Sequence, residues 1–458
     1  MDANGNSDGS GGPRVAVIGG GIAGISAADR LRAAGARAEI FEAGDRLGGR
    51  IGVDRLGDRE ACLGGKNIGR RYREFKALTE RGAEGGRRWE FFGPETMQVM
   101  PNGRLLPMSY RRISARVRLG GRMLLRGQIP SARRFSKLAR QVKTNEPSGF
   151  LGDGWFAELA RKRDHPTLAD YFGAGFSSAV VRHTTVRMNG AEPDEAWVGN
   201  FGSNLALVVD KFDQLTDGLE PVMRAAAARH GVHLNAPVER LLARDGRVTG
   251  LATQDGHAHE GFGAVVMAVP ASIAAPIVAP LDRDLAAMLY SIVYHPVAVV
   301  VAEYDRPVFP QQYAAIATPH HLALSNAGAY GLDDRHIVRF TFSGRAARGR
   351  IEPDTFDPEA LLAEAEEFLS RYLPIGGARR VNHVSRAFEP GLCSYRRDHE
   401  HFLRAVDGML GSMDGLALAG DYMQGASLEA CTRSGVAAAD RLTGARLPMP
   451  VEAAGVAS

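Results

Sequence analysis

Gly19, Gly21, Gly24 and Glu42 are the residues of this chain whose types and spacing define a chemistry most narrowly. Glycines in the order G-x-G-x-x-G do three jobs in a dinucleotide site. The first makes a tight turn, the second lets backbone approach a pyrophosphate, and the third lets a helix pack close to a strand. An acid about 20 residues further on accepts hydrogen bonds from a ribose diol, and Glu42 stands there. A second group follows at once in AGDRLGGRIG, where Arg46, Gly48, Gly49 and Arg50 would bring backbone and guanidinium to another part of a bound phosphate. A nicotinamide-binding chain would normally pass to its next helix at this point. The chemistry marked out is the holding of a dinucleotide by its phosphates and ribose.

The elements that must position these residues occur in the right order. Residues 15–18 form an apolar run of the kind a buried parallel strand uses. Residues 25–34 are rich in Ala, Leu and Arg and predict a helix whose N-terminus faces the phosphates. Gly35 stops that helix, residues 38–41 read as a second strand, and Glu42 ends it. Glycine-rich turns that bind nothing do not come with strand, helix, strand and acid in this sequence.

A chain of 458 residues suffices for two or three domains or one interleaved pair. Its apolar and charged fractions are those of a soluble globular protein. Cys62, Cys393 and Cys431 are isolated and odd in number, which indicates neither a disulfide framework nor a zinc site and fits a reducing cytoplasm. His320 and His321 have no third ligand at metal spacing and belong in a loop. Residues 1–13 read as a disordered tail without the apolar core of a signal peptide. The most apolar stretch, 264–281, contains Pro270, Pro276 and Pro280 and so predicts no membrane span. Charge is unevenly placed: residues 96–145 hold twelve basic residues and no acid, while the whole chain carries only +4. Leu119, Met123, Leu124, Leu125, Phe135, Leu138 and Val142 interleave with those charges. This segment suits an anionic membrane surface or an acidic carrier protein, or else forms a solvated Arg-rich helical pair. Nucleic acid is not indicated, since no recognised binding module accompanies the charge.

The AGDRLGGRIG run resembles the signature of the FAD-dependent amine oxidase superfamily, which includes monoamine oxidases, protoporphyrinogen oxidases and phytoene desaturases. The stretch GLALAGDYMQGASLEACTRSG, residues 415–435, is similar to that family's C-terminal motif, and residues 219–268 also fit its pattern. The resemblance implies FAD as cofactor, and an α/β fold in which a Rossmann-like FAD-binding domain interleaves with an α+β substrate domain built on an antiparallel sheet with helices. The FAD domain would comprise 14–75, 205–285 and 396–458, and the substrate domain 76–204 and 286–395. Val238 would meet the adenine, Gly420 and Asp421 the pyrophosphate and ribityl chain, and the helix beginning near Glu429 the isoalloxazine.

Amine oxidases of this family usually carry a Lys ahead of a substrate-domain strand, where this chain has Tyr294, His295 and Pro296. A tyrosine that would stack on an amine is replaced by Ser427 and Leu428. Both departures point towards branches that oxidise or desaturate a sizeable, largely apolar small molecule by removing hydride onto the flavin. Fifty arginines against six lysines fit a GC-rich genome and a bacterial biosynthetic pathway. The alternatives are an amine or amino-acid oxidase releasing hydrogen peroxide, and a non-redox isomerase or binding protein on the same scaffold. Candidate catalytic residues are Lys66 and Glu60, which with Asn67 follow the phosphate turn, together with His295 and Tyr395. For each the alternative is a structural role. Cys393, ahead of the C-terminal motif, is the candidate for a covalent flavin link, although non-covalent FAD is the expectation. The expected location is cytoplasmic, with peripheral membrane contact through 96–145; the oligomeric state is left open.

Overall fold

The computed structural model describes residues 12–444, except 82, 84–85, 109–120, 122–125, 146–148, 153, 164–165 and 217. A five-stranded sheet lies at its centre, all parallel, in the order Gly231–His233, Arg37–Phe41, Arg14–Ile18, Ala264–Met267, Leu416–Leu418. Val15, Val17, Ala264 and Val266 are wholly buried on one face, with Ala16 and Val265 on the other. Apolar runs without alternation are what a sheet covered on both sides requires. Strands from three separated stretches of chain thus meet in one sheet.

The first helix is Ile22–Ala33, three residues earlier than its composition predicts. Gly24 therefore lies within the first turn, where a Cβ would stand 1.9 Å from the Gly19 carbonyl oxygen. The Leu428–Gly444 helix crosses it just as closely. A Cβ on Gly435 would sit 2.1 Å from Ala23 O, and the Ser26 hydroxyl donates to Thr432 O at 2.8 Å.

The second large sheet has seven strands, in the order Arg380–Ser394, Val293–Tyr304, Ile337–Phe342, Leu324–Ala329, Tyr313–Ala317, Glu95–Val99, Leu105–Pro107. It departs from the expected antiparallel sheet at one pair: Tyr313–Ala317 runs parallel to Glu95–Val99. Successive side chains alternate between its faces. Val338, Phe340 and Phe342 pack with Leu361, Leu362, Ala365 and Leu369 of the Pro358–Leu369 helix. Ile337, on the opposite face, joins Leu56, Ala61 and Leu63 of the strand pair Val53–Leu56 and Arg59–Cys62 and the turn after it.

The basic stretch is only partly described: Arg111, Arg112, Arg116, Arg118, Arg122, Leu119, Met123, Leu124 and Leu125 lie outside the described residues. In the Ile129–Thr144 helix the apolar residues are consumed by the fold. Phe135, Leu138 and Val142 enter a cluster with Phe172, Phe176 and Phe201, while Arg133, Arg134, Lys137, Arg140 and Lys143 stay exposed. Among the described residues no helix is long and apolar enough to cross a membrane.

Two histidines are buried in a state that disfavours protonation. His399 Nε2 lies 2.8 Å from Tyr422 O and must donate to it, which leaves Nδ1 bare, buried and without a partner. Burial, only partly countered by that bond, holds this imidazole down at about 4. Burial, then the Arg182 and Arg187 charges, hold His183 at about 3. Both values lie below the ordinary 6.5, so the unfolded chain binds the extra proton first. The stability these groups contribute is complete above 6.5 and is lost as pH falls from there towards the folded values, by about 1.4 kcal/mol per pH unit per group. Urea unfolding should show a smaller loss between about pH 7.5 and about pH 5.5 in His399→Phe than in wild type, by roughly 1 kcal/mol. An unchanged loss would refute this assignment.

Candidate cofactor and substrate site

Two glycine-rich loops lie one on the other. Gly19 has φ of +104°, and Gly48 has φ of +118°, in the range that favours glycine. Gly48 N–H donates to Gly20 O at 2.9 Å, and a Cβ on Gly49 would stand 3.4 Å from Gly21 Cα. Glu42 organises this cradle by accepting from Gly20 N–H at 2.7 Å and from Gly44 N–H at 2.9 Å. Its own carbonyl accepts from Ala236 N–H at 2.9 Å, two residues before buried Val238 opens the Val238–Arg244 strand.

A dinucleotide fits this arrangement on three counts. The helix starting at Ile22 has no side-chain cap, so its first N–H groups remain available to phosphate. The Cβ direction of Gly21 meets nothing within 4 Å, which leaves that face of the cradle open. Each Glu42 carboxylate oxygen spends one bond on the loops and keeps acceptor capacity for a ribose.

The far end of the cradle is tied through Asp421. Arg50 Nη1 donates to Asp421 Oδ2 at 2.5 Å and to Gly391 O at 3.0 Å. The Tyr294 hydroxyl donates to Asp421 Oδ1 at 2.9 Å, and the Tyr395 hydroxyl to Asp421 O at 3.2 Å. Burial opposes the Arg50 charge, and Asp421 more than offsets it. Gly420 N–H donates to Ser434 Oγ at 2.8 Å, fixing the turn that presents Asp421.

Several expected site residues are placed elsewhere. His295 is adjacent to Tyr294 on one strand, and adjacent residues face opposite ways. Tyr294 takes the cradle side; His295 packs under Gly190, near Arg348 and Glu195, and burial holds it at about 4. Glu60 is exposed opposite Arg55 and lines a shallow outer depression with Arg46, Arg55 and Arg224, because buried Ala61 takes the inward position. Arg46 is likewise at that rim, bonded to Val53 O and Asp45, so only Arg50 of the two arginines reaches inward. Glu429 is spent on protein: its carboxylate accepts from Glu74 and Phe75 N–H at the start of the Arg73–Glu80 helix, and from Arg433 Nε. Tyr395 is a buried brace whose ring meets His399 edge to face. Cys393 is wholly buried opposite Tyr294, and burial, then Asp421, push its thiol well above the usual range. His320 and His321 lie in an exposed turn.

Lys66 does face a cluster. Its ammonium donates to Tyr330 O and lies over the Tyr330 ring. Burial lowers it to about 7. The Tyr330 hydroxyl accepts from Cys62 N–H at 2.7 Å, and Arg339 Nη2 donates to Leu63 O at 3.1 Å. Arg187 stands near Arg339. Tyr330, Arg187 and Arg339 were not legible from the sequence, and Tyr294 was noted there only as standing where a Lys is usual. RHTTVRMNG holds two arginines, Arg182 and Arg187, and nothing in the stretch marks the second as a site residue.

Residues 22–443 match the family described as flavin containing amine oxidoreductase. A Mycobacterium tuberculosis (strain CDC 1551 / Oshkosh) protein provisionally named a flavin-containing monoamine oxidase, AofH, is 27% identical over 388 residues, spanning 80% of this chain and 77% of that one. Among solved structures, putrescine oxidase bound to putrescine superposes with a TM-score of 0.71 at 17% identity, over 94% of this chain and 99% of that chain. A CLA-producing fatty acid isomerase from P. acnes superposes with a TM-score of 0.68 at 17% identity, over 94% and 98%.

Proposed function

The chain belongs to the family of flavin-containing amine oxidoreductases and is an FAD-dependent oxidoreductase, and on that premise we propose that it oxidises or desaturates a sizeable, largely apolar small molecule. The observation carrying this reading is the charge of the cluster around Lys66. Arg339 acts on Lys66 and on Arg187, and among the described residues no acid is paired with any of the three. A small ammonium substrate would enter against that charge.

FAD, held by the Gly19–Gly24 and Gly48–Arg50 loops, Glu42 and the Asp421 end, supplies a hydride acceptor for a C–H bond placed against it. The chain's own residues bind, orient and exclude water. Lys66, near 7, can take a proton at Nζ at neutral pH. The exposed cations of the Ile129–Thr144 helix would suit an anionic surface or acidic carrier delivering such a molecule.

A second reading, an amine oxidase, is favoured by the name of the mycobacterial relative and the fold shared with putrescine oxidase. Anaerobic mixing separates the two. Apolar substrates should bleach the yellow band while amines leave it, whereas bleaching by amines, with hydrogen peroxide released in air, would overturn the proposal. FAD should also leave the protein on acid precipitation, since the buried Cys393 thiol offers no thiolate near neutral pH. A yellow pellet in wild type that turns colourless in Cys393→Ala would refute this.

A further inference from the structure

Arg187 leaves the Arg182–Asn189 helix between Val186 and Met188, both buried, yet it is itself exposed. Protein also surrounds it: burial, then the charge of Arg339, lowers its guanidinium to about 10. Its guanidinium is therefore exposed yet hemmed in by protein on the side of Arg339. Arg339 enters the same space from the Ile337–Phe342 strand. Its Nη1 donates to Thr341 Oγ1 at 2.9 Å and its Nη2 to Leu63 O, while its buried Nε has no partner. The sheet register puts Gly328 beside Arg339 and Ala315 beyond it, so the floor next to the cation is made of small residues. The hydroxyl of Ser343 holds Val186 O at 3.1 Å, fixing the helix over this floor.

No acid balances these charges among the described residues. The acid acting on Lys66, Asp334, is already held by both nitrogens of Arg59, at 3.0 and 2.9 Å. Two guanidinium groups kept together without a counter-charge are costly in the empty protein, and a bound anion removes that cost.

We propose that the substrate carries a carboxylate, received by Arg187 and Arg339, with its apolar body lying over the small-residue floor of the sheet. The inference rests on the reading of the site as one for a largely apolar molecule. Planar guanidinium forks match a carboxylate with two parallel hydrogen bonds. Lys66, close enough for Arg339 to act on it, adds a third charge of the same sign when protonated.

The test titrates the FAD-loaded enzyme with decanoate, decanol and decylamine, following the shift of the flavin absorption band. Decanoate should saturate at concentrations at least tenfold lower than decanol, and decylamine should bind most weakly. Arg187→Met should weaken decanoate by roughly 10- to 100-fold, the loss expected of charged hydrogen bonds. Arg187→Lys should recover part of it, and decanol affinity should not move. Decanol or decylamine binding as tightly as decanoate overturns the proposal, and this wild-type comparison decides even where a variant does not fold. Arg187→Met that keeps its FAD and wild-type decanoate affinity also overturns it. Bleaching of the band, as opposed to its shift, reports the oxidation reading. Amines that bleach while decanoate still binds through Arg187 would sink that reading and leave the anion site standing.

Discussion

Gly24→Ala is expected to purify without FAD. The added Cβ would lie 1.9 Å from Gly19 O, 3.1 Å from Gly19 C and 3.2 Å from Val17 Cγ1. The first two are backbone atoms of the turn that holds the pyrophosphate, so no side-chain rotation relieves the clash. The helix would have to lift from the strand, but its other side is blocked by the Leu428–Gly444 helix, where Gly435 already meets Ala23 O. Lifting therefore carries the first-turn N–H groups away from the Gly19–Gly21 loop. Two misplaced charge-assisted hydrogen bonds cost about 3–6 kcal/mol, roughly 100- to 10,000-fold in the FAD dissociation constant. The flavin-to-protein absorbance ratio and an FAD titration of the apoprotein measure this. Gly21→Ala provides the contrast: its Cβ meets no protein atom, so thermal stability of the apoprotein should hold while the open cofactor face is narrowed. Gly24→Ala with a full complement of FAD would show that the close helix–strand approach is not needed.

The glycine spacing was readable because its constraint is local: a turn and a close approach allow one residue type at fixed positions. Gly19, Gly48 and Gly49 duly take positive φ in the structure. The helix start was misplaced by three residues because composition does not distinguish Gly21–Gly24 as turn from the same residues as first helical turn. Glu429 and His295 show a different limit. Each sits at a position expected near a flavin, but the direction of its side chain depends on strand phase and on a helix, Arg73–Glu80, far away in sequence. Arg187 and Arg339 come from elements that meet only through the seven-stranded sheet, so no spacing announces them. Holding a dinucleotide is written in contiguous sequence, whereas choosing a substrate is written in tertiary contacts.

Glu192→Ala should cost about 3–5 kcal/mol of unfolding free energy, the largest stability loss expected outside the apolar core. Arg182 and Glu192 form a two-bonded pair, Nε to Oε2 at 2.7 Å and Nη2 to Oε1 at 3.1 Å, with side chains 4% and 10% exposed. Arg182 Nη1 also reaches Thr318 O at 3.4 Å, next to the Tyr313–Ala317 strand, so the pair ties the helix bearing Arg187 to the sheet. Alanine at 192 leaves a buried guanidinium without its counter-charge, and it also removes the side chain of a capping box with Glu195. Breaking one partner is the expensive operation; removing both is not. Glu192→Leu with Arg182→Met should therefore recover most of the loss, and a double-mutant cycle by urea unfolding measures the coupling. A cost below about 1 kcal/mol for Glu192→Ala would place the pair with solvent-exposed ion pairs. Because Arg187 rides on the same helix, the single variant should also lose decanoate affinity before it loses FAD, while the double variant should regain it. That order follows from the two halves of the chain doing separate jobs: the cradle is closed by glycines and Asp421 without the help of Arg182, whereas the helix bearing Arg187 is tied to the sheet through Arg182 and Glu192.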